Sequence, residues 1–117
     1  MELIDRPLPK CVHLVIYPGF KSFEAVGALT VFDYANAQLK ARGHAPAYDL
    51  HLVAPGTGPV KSDTLISLDA EDMRTADKPH TALVIGARDI TTAVTEQRII
   101  VDWCRQAATR IDRMVGV

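Results

Sequence analysis

The sequence predicts an α/β fold in which an open, mostly parallel sheet carries helices on its faces. Three observations lead to this prediction. Short runs of almost continuously apolar, β-branched residues recur along the chain, as in strands that are buried on both faces. Stretches with helical periodicity separate these runs, as in sheets built from parallel strands. The 117 residues, of which 48% are hydrophobic and 23% charged, are enough for the core of one domain.

The first predicted strand covers residues 11–17. It follows residues 1–10, which contain two prolines and are predicted to form an extended lead-in to a domain spanning residues 11–117. The strand is predicted to be buried on both faces because nearly all of its residues are apolar. Pro18-Gly19 ends it, since this pair favours a turn.

A long helix is predicted near residues 25–42. Its apolar residues recur at helical spacing and would form one stripe: Ala25, Ala28, Leu29, Phe32, Ala35 and Leu39. Ser22 is the candidate N-cap, and Glu24 would lie in the first turn, where the helix dipole favours an acid. Gly43 suits the position just after the last turn.

The middle of the chain is predicted to hold a second buried strand at residues 48–54 and then a small hairpin. The hairpin arms are residues 59–61 and 65–68, and Ser62-Asp63 between them suits a turn. Residues 69–78 are mostly polar, and we expect one helical turn plus a loop there.

The last third of the chain repeats the alternation of strand and helix. A third buried strand is predicted at residues 81–86 and a second long helix near residues 95–110, with Thr92 or Thr95 as its cap. A fourth core strand starts at residues 113–117. The first three core strands are expected to be parallel, and the fourth should join the same sheet.

The predicted sheet is incomplete, because only two long helices are available to cover four core strands. Val115 and Val117 would then be exposed on at least one face. An uncovered apolar patch of this kind usually marks an interface. We therefore expect the chain to associate into a homodimer or a higher homo-oligomer.

Charge and cysteine content exclude several classes of protein. Lys and Arg number 13, Asp and Glu number 14, and the net charge is −1. The chain thus lacks the basic excess expected of a stand-alone nucleic-acid binder. No apolar run is as long as a membrane span, and no signal peptide is visible. Two cysteines without CxxC spacing fit reduced thiols, so we expect a cytoplasmic protein with no membrane partner.

Several short motifs occur in a fixed order along almost the whole chain. They are residues 12–17, Pro18-Gly19-Phe20, residues 23–29, Val31-Phe32-Asp33, residues 48–54, Gly58-Pro59-Val60 and residues 113–117. In this order they resemble ThiJ/PfpI domains, which are class I glutamine amidotransferase-like domains with a flavodoxin-like sheet. The resemblance is strongest to the N-terminal ligand domain of GlxA-type regulators of the AraC family.

The chain departs from the pattern of these domains in three places. Ala28 stands where the family usually has proline, and residues 81–85 run into Gly86-Ala87-Arg88 where Pro-Gly-Gly is usual. The family's cysteine nucleophile lies on a sharp turn directly after the strand that ends here at Val117. That cysteine position is not in this sequence.

The resemblance implies the effector-sensing and dimerisation part of an AraC-family, GlxA-type transcriptional regulator. Its partners would be a small-molecule effector and a second copy, and DNA would be bound only through a C-terminal module missing from this chain. Two alternatives stay open. One is a fragment of a ThiJ/PfpI-family cysteine hydrolase or hydratase, either isonitrile-hydratase-like or amidase-like. The other is a truncated remnant that pairs only with its own missing half.

Four residues form the expected ligand pocket, namely Tyr17, Glu24, Gly86 and Ala87. In similar enzymes the acid corresponding to Glu24 holds a proton beside the cysteine, whereas an isolated acid in a first turn is merely solvated. Gly86 and Ala87 could direct N–H groups into a cleft, or could form an ordinary turn after a strand. No catalytic residue and no cofactor are assigned, and enzymatic activity is not expected because the chain has no nucleophile.

Cys11, His13 and His51 are the metal-ligating residue types on core strands. Cys11 and His13 point the same way in a regular strand, and His51 lies on a neighbouring one. A metal site is conceivable, but no fourth ligand is visible. The favoured interpretation is an inert cysteine with buried, hydrogen-bonded histidines, so no metal is assigned. Cys104, next to Trp103, is expected to pack in the core.

Overall fold

The computed structural model describes residues 8–89, 97–107 and 111–116. In this part of the chain six strands and two helices follow one another: β1 (Lys10–Val15), α1 (Ser22–Ala41), β2 (Tyr48–Ala54), β3 (Gly58–Lys61), β4 (Ser67–Asp72), β5 (Thr81–Val84), α2 (Arg98–Ala107) and β6 (Arg113–Gly116). Four predictions fall outside the described residues: most of the lead-in, the caps Thr92 and Thr95, both ends of the second helix, and Val117.

All six strands belong to one sheet with the order β3-β4-β2-β1-β5-β6. β1 pairs in parallel with β2 and β5, and the pairs β2–β4 and β5–β6 are also parallel. Only the β3–β4 pair is antiparallel. The predicted α/β fold with a mostly parallel sheet is therefore confirmed, including the place of residues 113–116 in the same sheet.

β1 lies inside the sheet, between β2 and β5, and both of its faces are covered. Its residues from Val12 to Val15 are all at most 2% exposed. On one face, Val12 and Leu14 pack with α1, which contributes Ala28, Leu29 and Phe32. On the other face, Val15 packs with Ile100 and Trp103 of α2. Helices on both faces explain why the strand is apolar almost throughout.

The interpretation of residues 69–78 as a helical turn plus loop is wrong in its first part. Residues 69–72 belong to β4, the second arm of the hairpin, which pairs in parallel with the carboxyl end of β2. Leu68 and Ala70 face the core, whereas Asp69 and Glu71 are exposed. This alternation has the period of a strand, and the acids concealed it. A turn follows, closed by bonds from Thr75 and Ala76 to the carbonyl of Asp72.

The N-terminus of α1 is capped from a distant part of the chain. The predicted N-cap, Ser22, is the first helical residue, and the N-cap residue Lys21 makes no capping bond with its side chain. Asp63, between β3 and β4, accepts hydrogen bonds from the Ser22 backbone N–H at 3.1 Å and from its hydroxyl at 3.2 Å. At the other end, Gly43 follows the C-cap with φ of +78°, as predicted.

Asp63→Ala is expected to lower the denaturant midpoint of the chain at neutral pH. The bond from the Ser22 backbone lowers the pKa of Asp63, and its other partners, Ser22 Oγ and Arg88, act in the same direction. The carboxylate therefore stabilises the fold above the ordinary aspartate pKa, and this contribution is lost as the pH falls through the lowered value. Urea unfolding at neutral and acid pH checks this. Asp69→Ala, at an exposed acid of β4, is the control and should change little.

Neither of the described helices combines the length and the apolar character needed to cross a membrane.

Candidate functional site

The candidate site lies where the order of strands reverses. From β1 the chain passes through α1 to β2 on one side, and it later returns to β5 on the other side of β1. In open α/β sheets, ligands bind outside the carboxyl ends of the strands at such a point. Tyr17 follows β1, and Gly86 and Ala87 follow β5. The fold therefore places three of the four expected pocket residues at this edge.

The turn after β1 brings the start of α1 over the end of β5. Gly19 has a φ of +88°, and the N–H of Phe20 donates to the carbonyl of Tyr17 at 3.0 Å to close the turn. A side chain at Gly19 would be strained in this conformation. Phe20 is fully buried and forms isolated bridges with Ser62 and Ala87. It thus joins the β1, β5 and hairpin turns.

Glu24 completes the group through a contact with the turn after β5. The N–H of Gly86 donates to Glu24 Oε1 at 3.3 Å, while the carbonyl of Gly86 accepts from the N–H of Lys21 at 2.9 Å. The hydroxyl of Tyr17 donates to the carbonyl of Ile85 at 2.6 Å. The four expected pocket residues therefore meet at one turn. Gly86 and Ala87 belong to this turn, and the side chains of Tyr17 and Glu24 form hydrogen bonds to its backbone.

The electrostatics of the site centre on the Glu24 carboxylate. Its second oxygen, Oε2, lies 3.5 Å from Lys21 Nζ, and its side chain is 26% exposed. Burial, and then the charge of Glu24, raise the pKa of Tyr17. The Tyr17 phenol therefore keeps its proton at neutral pH and acts as a hydrogen-bond donor.

The contact between Glu24 and Gly86 decides what each of these residues can do in the free protein. Glu24 does lie in the first turn of α1, but it also makes a specific contact with the turn after β5. The Gly86 N–H already has a carboxylate acceptor, so a ligand could use it only by displacing Glu24.

Asp63 and Phe20 belong to the site environment although the sequence did not mark them as functional. Asp63 caps α1 and lies 3.5 Å from Arg88 on the far side of the β5 turn. Ser62-Asp63 was predicted as a turn, but its contact with α1 spans 41 residues. Local sequence patterns carry no signal for contacts of that separation.

A groove lies at the opposite end of the sheet from Glu24, where β1, β5 and β6 begin. Its volume is about 670 Å³, and its lining includes Val12, Phe32, Leu83, Arg113 and Val115. Val115 is 40% exposed, in agreement with the prediction of an uncovered apolar surface. None of the four expected pocket residues lines this groove.

Both cysteines are free thiols. Burial raises the pKa of Cys104, which packs beside Trp103 as expected. Burial and nearby carboxylates, Asp49 foremost among them, raise the pKa of Cys11. Raised pKa values keep both thiols protonated, so neither is an activated nucleophile.

The favoured interpretation of the histidines needs correction. His13 is buried as expected, but its Nδ1 has no hydrogen-bond partner among the described residues. The His51 side chain is 30% exposed and contacts two carboxylates. The sequence placed His51 on a strand next to that of His13, but it could not show which acids of β2 and β4 lie beside His51.

Two solved structures share the fold. One is an AraC family transcriptional regulator from Pseudomonas putida, with a TM-score of 0.67 and 18% identity over 92% of this chain. The other is a putative transcriptional regulator protein from Vibrio parahaemolyticus, with a TM-score of 0.73 and 16% identity over 93% of this chain. The match covers 64% and 56% of those chains.

No family model matches the chain, and neither does any curated protein. At identities below a fifth, the likeness to the two regulators rests on three-dimensional structure rather than on sequence. It concerns the α/β sheet with its two helices, which this chain shares with both of them.

Proposed function

We propose that the chain is the effector-sensing and dimerisation part of a GlxA-type, AraC-family transcriptional regulator. In this proposal residues 11–117 are the N-terminal part of a ThiJ/PfpI-like domain, and DNA is bound by another part of the protein. The resemblance of its motifs and the shared fold of two regulators support this role. The net charge of −1 is in keeping with DNA contacts made elsewhere.

One observation carries the sensing role. The partly exposed Glu24 carboxylate contacts the Gly86 N–H at the point where the strand order reverses. A small metabolite with a hydrogen-bond donor would bind Glu24 there and release the Gly86 N–H for its own acceptor. The carbonyl of Gly86 also accepts a hydrogen bond from the N–H of Lys21 at the start of α1. A change at Gly86 on binding would therefore alter the position of that helix.

Backbone NMR tests the sensing role with a panel of small amines, amides and carboxylates. A compound that binds at the site should shift the amide signals of Gly86 and Ala87 in a saturable manner. Glu24→Gln should weaken this binding about tenfold or more, since a hydrogen bond to a charged group contributes about 1.5–3 kcal/mol. Asp33→Asn, at an exposed acid of the same helix, is the matched control. Equal affinity in the Glu24 variant would refute the sensing role.

The outer face of α1 supports dimerisation. Four large apolar side chains on this helix are 40–90% exposed: Phe23, Val26, Val31 and Tyr34. Gly27 is exposed among them, and nothing lies within 4 Å of the place where its Cβ would be. A second copy could therefore pack its own α1 closely against this surface, which we call the α1 apolar face.

The alternative of a cysteine hydrolase or hydratase fragment would use the same contact between Glu24 and Gly86. The thiol of that alternative would be the family's cysteine after residue 117, so Cys11 and Cys104 do not decide the matter. The fold shared with two regulators is what favours sensing over catalysis. A cytoplasmic location is part of the proposal, and the two free thiols support it.

A further inference from the structure

A cluster of metal-ligating side chains lies on β1 and β2, nearer their amino ends and away from Glu24. One ligand atom each of Cys11, Asp49 and His51 lies within 4.8 Å of the others. The parallel register of β1 and β2 produces this cluster, because Cys11 pairs with Asp49 and His13 with His51. Residues two apart on a strand share a face, so all four side chains lie on the same side of the sheet.

Two carboxylates hold the His51 imidazole between them. Its Nδ1 lies 2.7 Å from Glu71 Oε2, and its Nε2 lies 3.0 Å from Asp49 Oδ2. A neutral imidazole has only one N–H, so both contacts are hydrogen bonds only when the ring carries a positive charge. The two carboxylates thus surround the His51 ring with negative charge, which favours a cation beside Nε2.

His13 supplies a second, independent observation. It is 2% exposed, its Nδ1 has no partner in the described part of the chain, and its ring centroid lies 5.8 Å from that of His51. A buried polar atom without a partner is costly, and native structures rarely retain one without a reason.

We propose that Cys11, Asp49 and His51 bind one divalent transition-metal ion of the Zn²⁺ type, beside the buried His13. Sulfur, nitrogen and oxygen ligands together suit Zn²⁺ and Co²⁺ and are unsuited to Mg²⁺ or Ca²⁺. Glu71 would accept from His51 Nδ1–H and fix the ring so that Nε2 faces the metal, as carboxylates commonly do for ligating histidines.

Binding exchanges a proton for the metal. The Cys11 thiol releases one proton to solvent, His51 keeps a proton on Nδ1 toward Glu71, and the metal forms bonds to Sγ and Nε2. The side chains of Asp49 and Glu71 are 59% and 57% exposed, which leaves the site open to ions from solution. This site does not depend on the proposed effector role of Glu24.

Titration of the reduced 117-residue chain with Co²⁺ tests the proposal. We expect saturable one-to-one binding with a thiolate-to-cobalt charge-transfer band and the intense visible bands of tetrahedral cobalt. Cys11→Ser should abolish the charge-transfer band, whereas Cys104→Ser, at the other thiol, should retain it. Glu71→Gln should weaken binding about 10- to 100-fold. A band that survives Cys11→Ser, or no saturable binding, overturns the proposal.

A measurement on the unmodified chain guards against variants that fail to fold. Zn²⁺ should protect Cys11 from alkylation, as read by mass spectrometry of the reacted peptides, and should leave the rate at Cys104 unchanged. Mg²⁺ serves as the control ion and should protect neither thiol. Equal rates at Cys11 with and without Zn²⁺ would rule the site out.

Discussion

Phe20→Ala is expected to lower the free energy of unfolding by about 3–5 kcal/mol, the usual cost of truncating a fully buried aromatic side chain. Phe20 has no exposed surface and belongs to the core cluster on the α1 face of the sheet. Loss of the ring would therefore leave a cavity in this cluster.

Urea unfolding followed by circular dichroism measures this effect. Leu65→Ala is the matched control, because Leu65 is also a large apolar residue but is 98% exposed. Its replacement should change the stability by less than about 0.5 kcal/mol. A Phe20 variant as stable as the Leu65 variant would show that the cluster holds together without this side chain.

Tyr34→Glu is expected to convert a dimer of this chain into a monomer. Tyr34 lies within the α1 apolar face and is 67% exposed in the single chain. In a symmetric dimer the substitution introduces a charge from each copy, and like charges facing each other cost several kcal/mol. The expected result is a large rise in the dissociation constant with little change in helix content.

Sedimentation analysis at micromolar concentrations checks this prediction. Thr57→Glu, which adds the same charge at an exposed loop position outside α1, should leave the dimer intact. A wild-type chain that sediments as a monomer would contradict the dimer itself. A Tyr34 variant that stays dimeric would instead move the interface away from α1, for example to the groove beside Val115.

Strands and helices with a clear apolar period could be predicted from the sequence. β1 and β5 are mostly apolar runs, β2 has apolar residues at most of its positions, and the buried stripe of α1 has helical spacing. The second half of β4, residues 69–72, was missed because its outward acids look like a loop when they are read without the alternating Leu68 and Ala70. The helical stripe of α1 predicts its inward face only, so the exposure of Tyr34 could not be predicted from it.

Site contacts between residues that are far apart in the sequence could not be predicted from it. The four residues around the β5 turn could be named because two of them end strands that the sequence identifies. The capping of Ser22 by Asp63 and the contact of His51 with Glu71 need the position of the hairpin against β2. That position depends on packing across the sheet, which no local pattern encodes.

The edge strand β3 disfavours the pairing of a further strand on its side of the sheet. β3 has four residues, and among them Pro59 lacks a backbone donor while Lys61 adds a charge. Such features discourage the addition of another strand. β6, at the opposite edge, also carries a charge at Arg113, but it has no proline, so all of its residues keep a backbone donor. Any strand that lengthens this sheet, from the same polypeptide or from another copy, should therefore pair with β6.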